Sequence, residues 1–313
     1  MGEAKRKAFL ANQTFVDVDD LNAHASYVVS EFTIKYGRLI YRAQLLDLMF
    51  RVIHVLLDAT RDGRFGKDIY EWLEPKNTLT MGEVYSELIK RRYLLPWQKR
   101  TLKLAITERN LLAHDWFLGK PMTTLLLTPS DRMTLTRRAE GAFRLINEAT
   151  IALVEIGRAI TNSDTSVDSQ LVWISISKRV KSLVAPPENE MKTIYSLIGL
   201  AQIEYKNLEL MLRSSLIGND HSTCGTDSLE NHPATEVSIM QVIENIKDNG
   251  VFDEQQIAGI REAIFSRNRI IHFPWFTTDR VAADQEIEIR FREYVRFISD
   301  TNNSVVSHLL QQP

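Results

Sequence analysis

One cysteine in 313 residues, Cys224, leaves no partner for an internal disulfide and no thiolate set for a multi-cysteine metal cage. Stability must then come from packed cores in a reducing compartment, and the cytoplasm is the expected location. No apolar stretch approaches the ~20 residues that a membrane-spanning helix requires. The opening Met1-Gly2-Glu3-Ala4-Lys5-Arg6-Lys7 leads into no signal-like apolar core, so neither membrane insertion nor secretion is expected. A glycine-rich phosphate loop, a Ser-His-Asp constellation and a helix-borne His-Glu-x-x-His are also missing, which removes support for NTP hydrolysis and zinc proteolysis. His221-x-x-Cys224 with His232 offers three loop ligands without a fourth and reads as surface polar residues; no metal or cofactor is expected.

What is present is an ordinary globular composition, 44% hydrophobic and 25% charged, in a chain long enough for two domains. The net charge of −2 argues against a nucleic-acid partner only until it is divided. Residues 1–160 hold 24 Lys and Arg against 19 Asp and Glu, whereas residues 161–313 hold 14 against 21. One half can meet a polyanion and the other cannot do so unaided.

The halves are related. Met81–His114 and Ile239–His272 align without a gap over 34 residues at a constant offset of 158, placing Val84 on Val242, Ala105 on Ala263, Arg109 on Arg267, Asn110 on Asn268 and His114 on His272. Thr80-x-x-Glu83 and Ser238-x-x-Gln241 both read as capping boxes at a helix start. Upstream, Leu46-Asp47-Leu48-Met49-Phe50-Arg51 matches Leu208-Glu209-Leu210-Met211-Leu212-Arg213, and downstream Phe143-Arg144-Leu145-Ile146 matches Val295-Arg296-Phe297-Ile298. The common order of the three blocks points to a tandem duplication.

Apolar residues recur every three or four positions in 25–58, 81–91, 96–114 and 134–161, and again in 187–217, 239–248, 254–272 and 285–310. The expected fold is therefore all-α: two bundles of about four helices forming a pseudo-dimer, residues 1–163 and 164–313, each with a long first helix as one wall. Pro96 suits a first helical turn and Asp248-Asn249-Gly250 a helix stop. The polar run 161–169 reads as the interdomain linker, 59–79 and 218–237 as corresponding loops, and Met122–Leu127 as a short hairpin. Segments 1–24 and 170–185 show no clear pattern.

The dipeptide Arg-Asn occurs twice, at Arg109-Asn110 and Arg267-Asn268, each followed four residues after the asparagine by a histidine, His114 or His272. Cleaving RNA without a metal requires a base for the 2′-hydroxyl, an acid for the leaving oxygen and a cation for the phosphorane, and two histidines with two arginines supply such a set. On one helix Asn110 and His114 share a face, while Arg109 lies about 140° around from His114, so a second motif facing the first completes the geometry. Arg267 falls within the apolar stripe Ile257, Ile260, Ile264 and Ile271, and Arg109 within its equivalent, where a charge needs a partner. Asp47 and Glu209 are the candidate supporting acids.

These residues, Arg109-Asn110-Leu111-Leu112-Ala113-His114 and Arg267-Asn268-Arg269-Ile270-Ile271-His272, together with the helical framework, resemble the HEPN superfamily and its Arg-polar-x3-His ribonuclease pattern. The resemblance covers most of both halves. It implies a metal-independent endoribonuclease acting on single-stranded RNA, two motifs meeting in one composite site, and a role as a toxin or antiviral effector. The partners it implies are RNA, a second copy of the chain, and an antitoxin or activator protein. A branch of two-component toxins in that superfamily adds a Tyr two residues after the His; Trp116 and Pro274 stand there in this chain, so that branch's antitoxin chemistry is not carried over. A catalytically inactive RNA-binding bundle and a helical protein-interaction module are the alternatives.

RNA is expected to enter along 90–103, where Lys90, Arg91, Arg92, Lys99, Arg100 and Lys103 meet no acidic residue; the counterpart 248–261 has Arg261 against Asp248, Asp253 and Glu254. His24, His54 and His308 have no matched partner and read as structural. Trp97, Trp116, Trp173 and Trp275 read as core or pocket wall.

Overall fold

A computed structural model describes residues 27–62, 79–114, 129–163, 167–184, 188–219, 238–271 and 280–311. Among these residues there are nine helices and no strand: α1 Tyr27–Asp62, α2 Met81–Lys90, α3 Pro96–His114, α4 Pro129–Ser163, α5 Val167–Val184, α6 Glu188–Asn219, α7 Ile239–Asp248, α8 Glu254–Ile271 and α9 Arg280–Gln311. None of them is long and apolar enough to cross a membrane. The hairpin expected at Met122–Leu127, the loop residues His221, Cys224 and His232, and His24, Trp116 and Trp275 lie outside the described residues.

Eight of these helices fall where the three-and-four periodicity predicts them; α5 does not. Its buried Trp173, Ile176, Val180 and Leu183 recur at helical spacing, but exposed Leu171 and Ile174 blur the stripe. The polar run 161–169 is not a linker over most of its length, because 161–163 end α4 and 167–169 begin α5. Hydroxyls offset the polar composition: Thr161 donates to the carbonyls of Gly157 and Arg158, and Ser163 to that of Ile160. Helix α5 packs chiefly on α4 and α1, with Trp173 pressed against Gly157, so the unit expected to start at residue 164 opens with a helix lying on the first half.

Helix α1 packs on α4 and α2, and α3 on α4 and α2; likewise α6 packs on α9 and α7, and α8 on α9 and α7. The long helices are not outer walls. They cross each other, and from Ile194 to Ser215 every residue of α6 except Glu209 is buried. A helix apolar on one stripe alone would not tolerate this; α6 is closed in by α1, α7, α8 and α9. The buried side chains of both halves join into one continuous core.

The crossing is backbone on backbone. A Cβ at Gly37 would lie 1.7 Å from the carbonyl oxygen of Tyr195, and one at Gly199 2.2 Å from that of Thr33. Gly37 and Gly199 are separated by the same 162 residues as Thr33 and Tyr195, so the contact is reciprocal, as in an isologous interface. The Thr33 and Ser196 hydroxyls meet beside it at 3.5 Å.

The α2–α3 and α7–α8 hairpins are closed by equivalent hydrogen bonds at the offset of 158. Thr80 and Glu83 form a complete capping box, whereas at Ser238 the serine accepts from the Gln241 amide without the return bond. Arg92 N–H donates to Ile89 and Tyr93 N–H to Leu88, as Gly250 N–H does to Lys247 and Val251 N–H to Ile246. Both ends are Schellman motifs, which need a left-handed residue, and here the halves part: Gly250 has φ +62, but its counterpart Arg92 takes φ +61 with a side chain.

Candidate functional site

Helices α3 and α8 start alike. Gln98 Oε1 accepts from the Leu95 amide at 2.9 Å and Gln256 Oε1 from the Asp253 amide at 3.0 Å, and each helix then runs uninterrupted to its motif in the last turn. Buried Leu102, Ala105 and Leu112 hold α3 down, as Ile260, Ala263 and Ile270 hold α8. That packing turns Arg109 and Arg267 toward the central helices.

Arg109 meets Asp47 as the sequence predicts. Its Nε and Nη2 both donate to Asp47 Oδ2, at 3.1 and 2.6 Å, and its Nη1 reaches Asn110 Oδ1 at 3.3 Å. Arg267 repeats the last of these contacts, Nη1 to Asn268 Oδ1 at 2.9 Å, but not the first. Its Nε donates to Gln202 Oε1 at 2.8 Å, and its guanidinium lies over the Tyr205 ring, 4.6 Å from the centroid. The expected Arg267–Glu209 pair does not form. Glu209 is taken by two cations of its own helix, Lys206 Nζ at 2.8 Å and Arg213 Nη2 at 2.7 Å, because residues three and four apart share a helical face.

Burial alone would raise the Glu209 pKa, but Lys206 and then Arg213 outweigh it and hold the carboxyl below its ordinary value. Burial pulls Arg267 below the ordinary guanidinium value; Tyr205, Tyr36 and Glu209 oppose this, and the charge of Arg109 adds to it. The charge of Arg109, in the other half, thus reaches Arg267. The phenol of Tyr205 is pushed up to about 12 by burial.

His114 closes α3, and its side chain lies outside the described residues, as does the whole of His272. Asn110 is exposed and Asn268 half-buried. Of the six basic residues in segment 90–103, which runs from the end of α2 into α3, Arg92, Lys99, Arg100 and Lys103 are exposed with no acidic partner among the described residues. Glu87, one turn upstream, lies 3.7 Å from Lys90 and accepts from Arg91 Nε at 2.8 Å. Arg91 also donates to the Leu57 carbonyl, so it ties the turn to α1 instead of facing solvent.

Trp97 is a correction: expected in a core or pocket wall, it stands 48% exposed in the first turn of α3, within the basic segment 90–103. Trp173 is buried as expected. His308 bonds the Val251 carbonyl and packs on Phe252, and His54 lies 3.5 Å from Asp58, both structural roles. Sequence reasoning missed Gln202, Tyr205, Lys206 and Arg213. Arg213 lay inside the repeat block matched to Arg51, and its spacing from Glu209 was the available signal; nothing marked Gln202. Comparison with known proteins finds no matching family model, no similar curated protein and no similar solved structure.

Proposed function

We propose that this chain is a metal-independent endoribonuclease whose two Arg-Asn-x3-His motifs form one intramolecular site, built by tandem duplication of a helical bundle. The observation that carries this is the placement of the motifs: Arg109 and Arg267 come from separate halves, each bonds its own neighbouring asparagine, Arg109 is tied to α1 through Asp47, and α8, which carries Arg267, also packs on α1. Like charges are brought together at a cost, and an anion between them offsets it. The reciprocal Gly37–Gly199 crossing and the matched hairpin closures support the pseudo-dimer. Arg109, Asn110 and His114 with Arg267, Asn268 and His272 carry the reaction: a histidine takes the 2′-hydroxyl proton, the new O–P bond forms a 2′,3′-cyclic phosphate, and the other histidine protonates the leaving 5′-oxygen. A toxin or antiviral role, with RNA as substrate and an antitoxin or activator as partner, follows from the HEPN resemblance.

The competing assignment is a catalytically inactive RNA-binding bundle; the half burial of both arginines, with partners in place, is what favours it. Cleavage of single-stranded RNA in excess EDTA by wild type, abolished in the His114→Ala/His272→Ala double variant, is the expected result. Binding without cleavage would refute the nuclease and leave the alternative.

A further inference from the structure

The two motif arginines occupy matched positions in unequal surroundings. Arg109 gives two of its N–H groups to a single carboxylate oxygen, so its charge is met within the protein. Arg267 is held by neutral groups, the amide oxygens of Gln202 and Asn268 and the face of Tyr205. None of these carries a formal charge, and among the described residues Arg267 Nη2 has no acceptor. The carboxylate whose charge bears on it, Glu209, is already bonded to both Lys206 and Arg213. At the matched positions, then, Arg109 is paired with a carboxylate, whereas Arg267, also half-buried, is held among the described residues by neutral groups. The other groups near Arg267, the Tyr36 and Tyr205 phenols, are pushed up by burial and stay neutral at pH 7. Glu204, also on α6, is turned to Asn302 of α9, from which it accepts at 2.6 Å. A half-buried guanidinium held by neutral groups is stabilised by an anion from outside.

We propose that Arg267 is the phosphate-receiving group of the site and binds a backbone phosphodiester, whereas Arg109 is a positioning residue whose charge is met by Asp47. Gln202 and Tyr205 are then positioning residues for Arg267, orienting its guanidinium fork without neutralising it. The proposal rests on the nuclease reading only for the identity of the phosphodiester as RNA. Its counterpart in the first half shows what a neutralised arginine looks like, and one substitution transfers that arrangement: Gln202→Glu gives Arg267 the carboxylate that Arg109 already has.

The test uses the full chain and a fluorescent single-stranded 2′-deoxy oligonucleotide, which lacks the attacking hydroxyl, with affinity measured across a salt series. Gln202→Glu should weaken binding at least tenfold and reduce the slope of log affinity against log salt by about 0.7, the loss of one single-strand phosphate contact. Its thermal midpoint should stay at or above that of wild type. Arg267→Gln should lose binding to the same degree, and Arg109→Gln should lose much less. Wild-type affinity in Gln202→Glu, or equal losses in the two arginine variants, overturns the proposal. If Gln202→Glu does not fold, the comparison of the two arginine variants decides alone. Binding that inorganic phosphate abolishes at equal potency with no dependence on oligonucleotide length would assign the pocket to free phosphate and overturn the phosphodiester. RNA cleavage by wild type, followed in parallel, keeps the two readings apart. Arg267-dependent binding without cleavage sinks the nuclease and spares this proposal; cleavage with an inert Gln202→Glu does the reverse.

Discussion

Arg92→Gly separates the conformational cost of the α2–α3 turn from the use made of its charge. A side chain in the left-handed region costs roughly 1 kcal/mol relative to glycine, offset in part by the greater freedom of glycine in the unfolded chain. Arg92 sits at φ +61 with both Schellman bonds formed, while Gly250 holds the equivalent position at φ +62. The turn therefore works with either residue, and among the described residues the arginine has no pairing to an acid that its removal would forfeit. A net stabilisation of about 0.5–1 kcal/mol is expected for Arg92→Gly. In a chain of this length the thermal midpoint moves only about 1–2 °C per kcal/mol, so urea unfolding is the better assay, read as a higher midpoint at unchanged slope. RNA affinity should fall and its salt slope flatten by about 0.7. The reverse substitution, Gly250→Arg, should lose about 1 kcal/mol. Arg92→Gly that is less stable than wild type would refute the strain assignment; unchanged RNA binding would remove Arg92 from the entry path.

Three further outcomes follow from the structure. Either His114→Ala or His272→Ala alone should lower RNA cleavage by about 10²-fold or more, since acid and base act in one transition state; half-activity in each, measured as initial rates, would mean independent sites. Glu209 is held below its ordinary carboxyl value, so its contribution to stability is complete above the unfolded value near 4.5 and is lost as pH falls through the lower folded one. Glu209→Gln should flatten that acid limb in a pH series of urea midpoints and cost about 3 kcal/mol at pH 7 by removing the carboxylate that Lys206 and Arg213 share; an unaltered acid limb would contradict it. Gly37→Ala, whose Cβ would meet the Tyr195 carbonyl, should destabilise the chain by more than about 3 kcal/mol, whereas Gly141→Ala, with open space around it, should be neutral or stabilising; circular dichroism melts distinguish them.

The helices were legible because most present a single buried stripe, and α2 and α7 also announce their ends through Thr80, Ser238 and Gly250. Helix α5 was not, since its exposed Leu171 and Ile174 carry the same letters as its buried residues. The Arg109–Asp47 pair was legible because both residues recur in matched blocks. Its counterpart was not: Gln202 stands two turns from Glu209 on α6, and the duplicated pattern pointed to the homologous acid while local spacing had already given that acid to Lys206 and Arg213. Matched positions predict shared backbone well and shared side-chain partners poorly, because a partner is chosen by whichever group lies within reach. Nothing in the letters of Trp97 distinguishes an exposed indole from a buried one; only the turn around it does.

Because Gly37 and Gly199 bring main chain against main chain, the angle and spacing of α1 and α6 do not depend on any side chain filling a gap between them. The covalent tether through residues 164–187 then fixes how many of each half are present and at what effective concentration, while the crossing fixes how they are oriented. The two sides can differ, as they do at Arg92 and Gly250 or at Asp47 and Glu209, without altering the frame from which Arg109 and Arg267 are presented. A symmetric joint of this kind lets its two halves specialise.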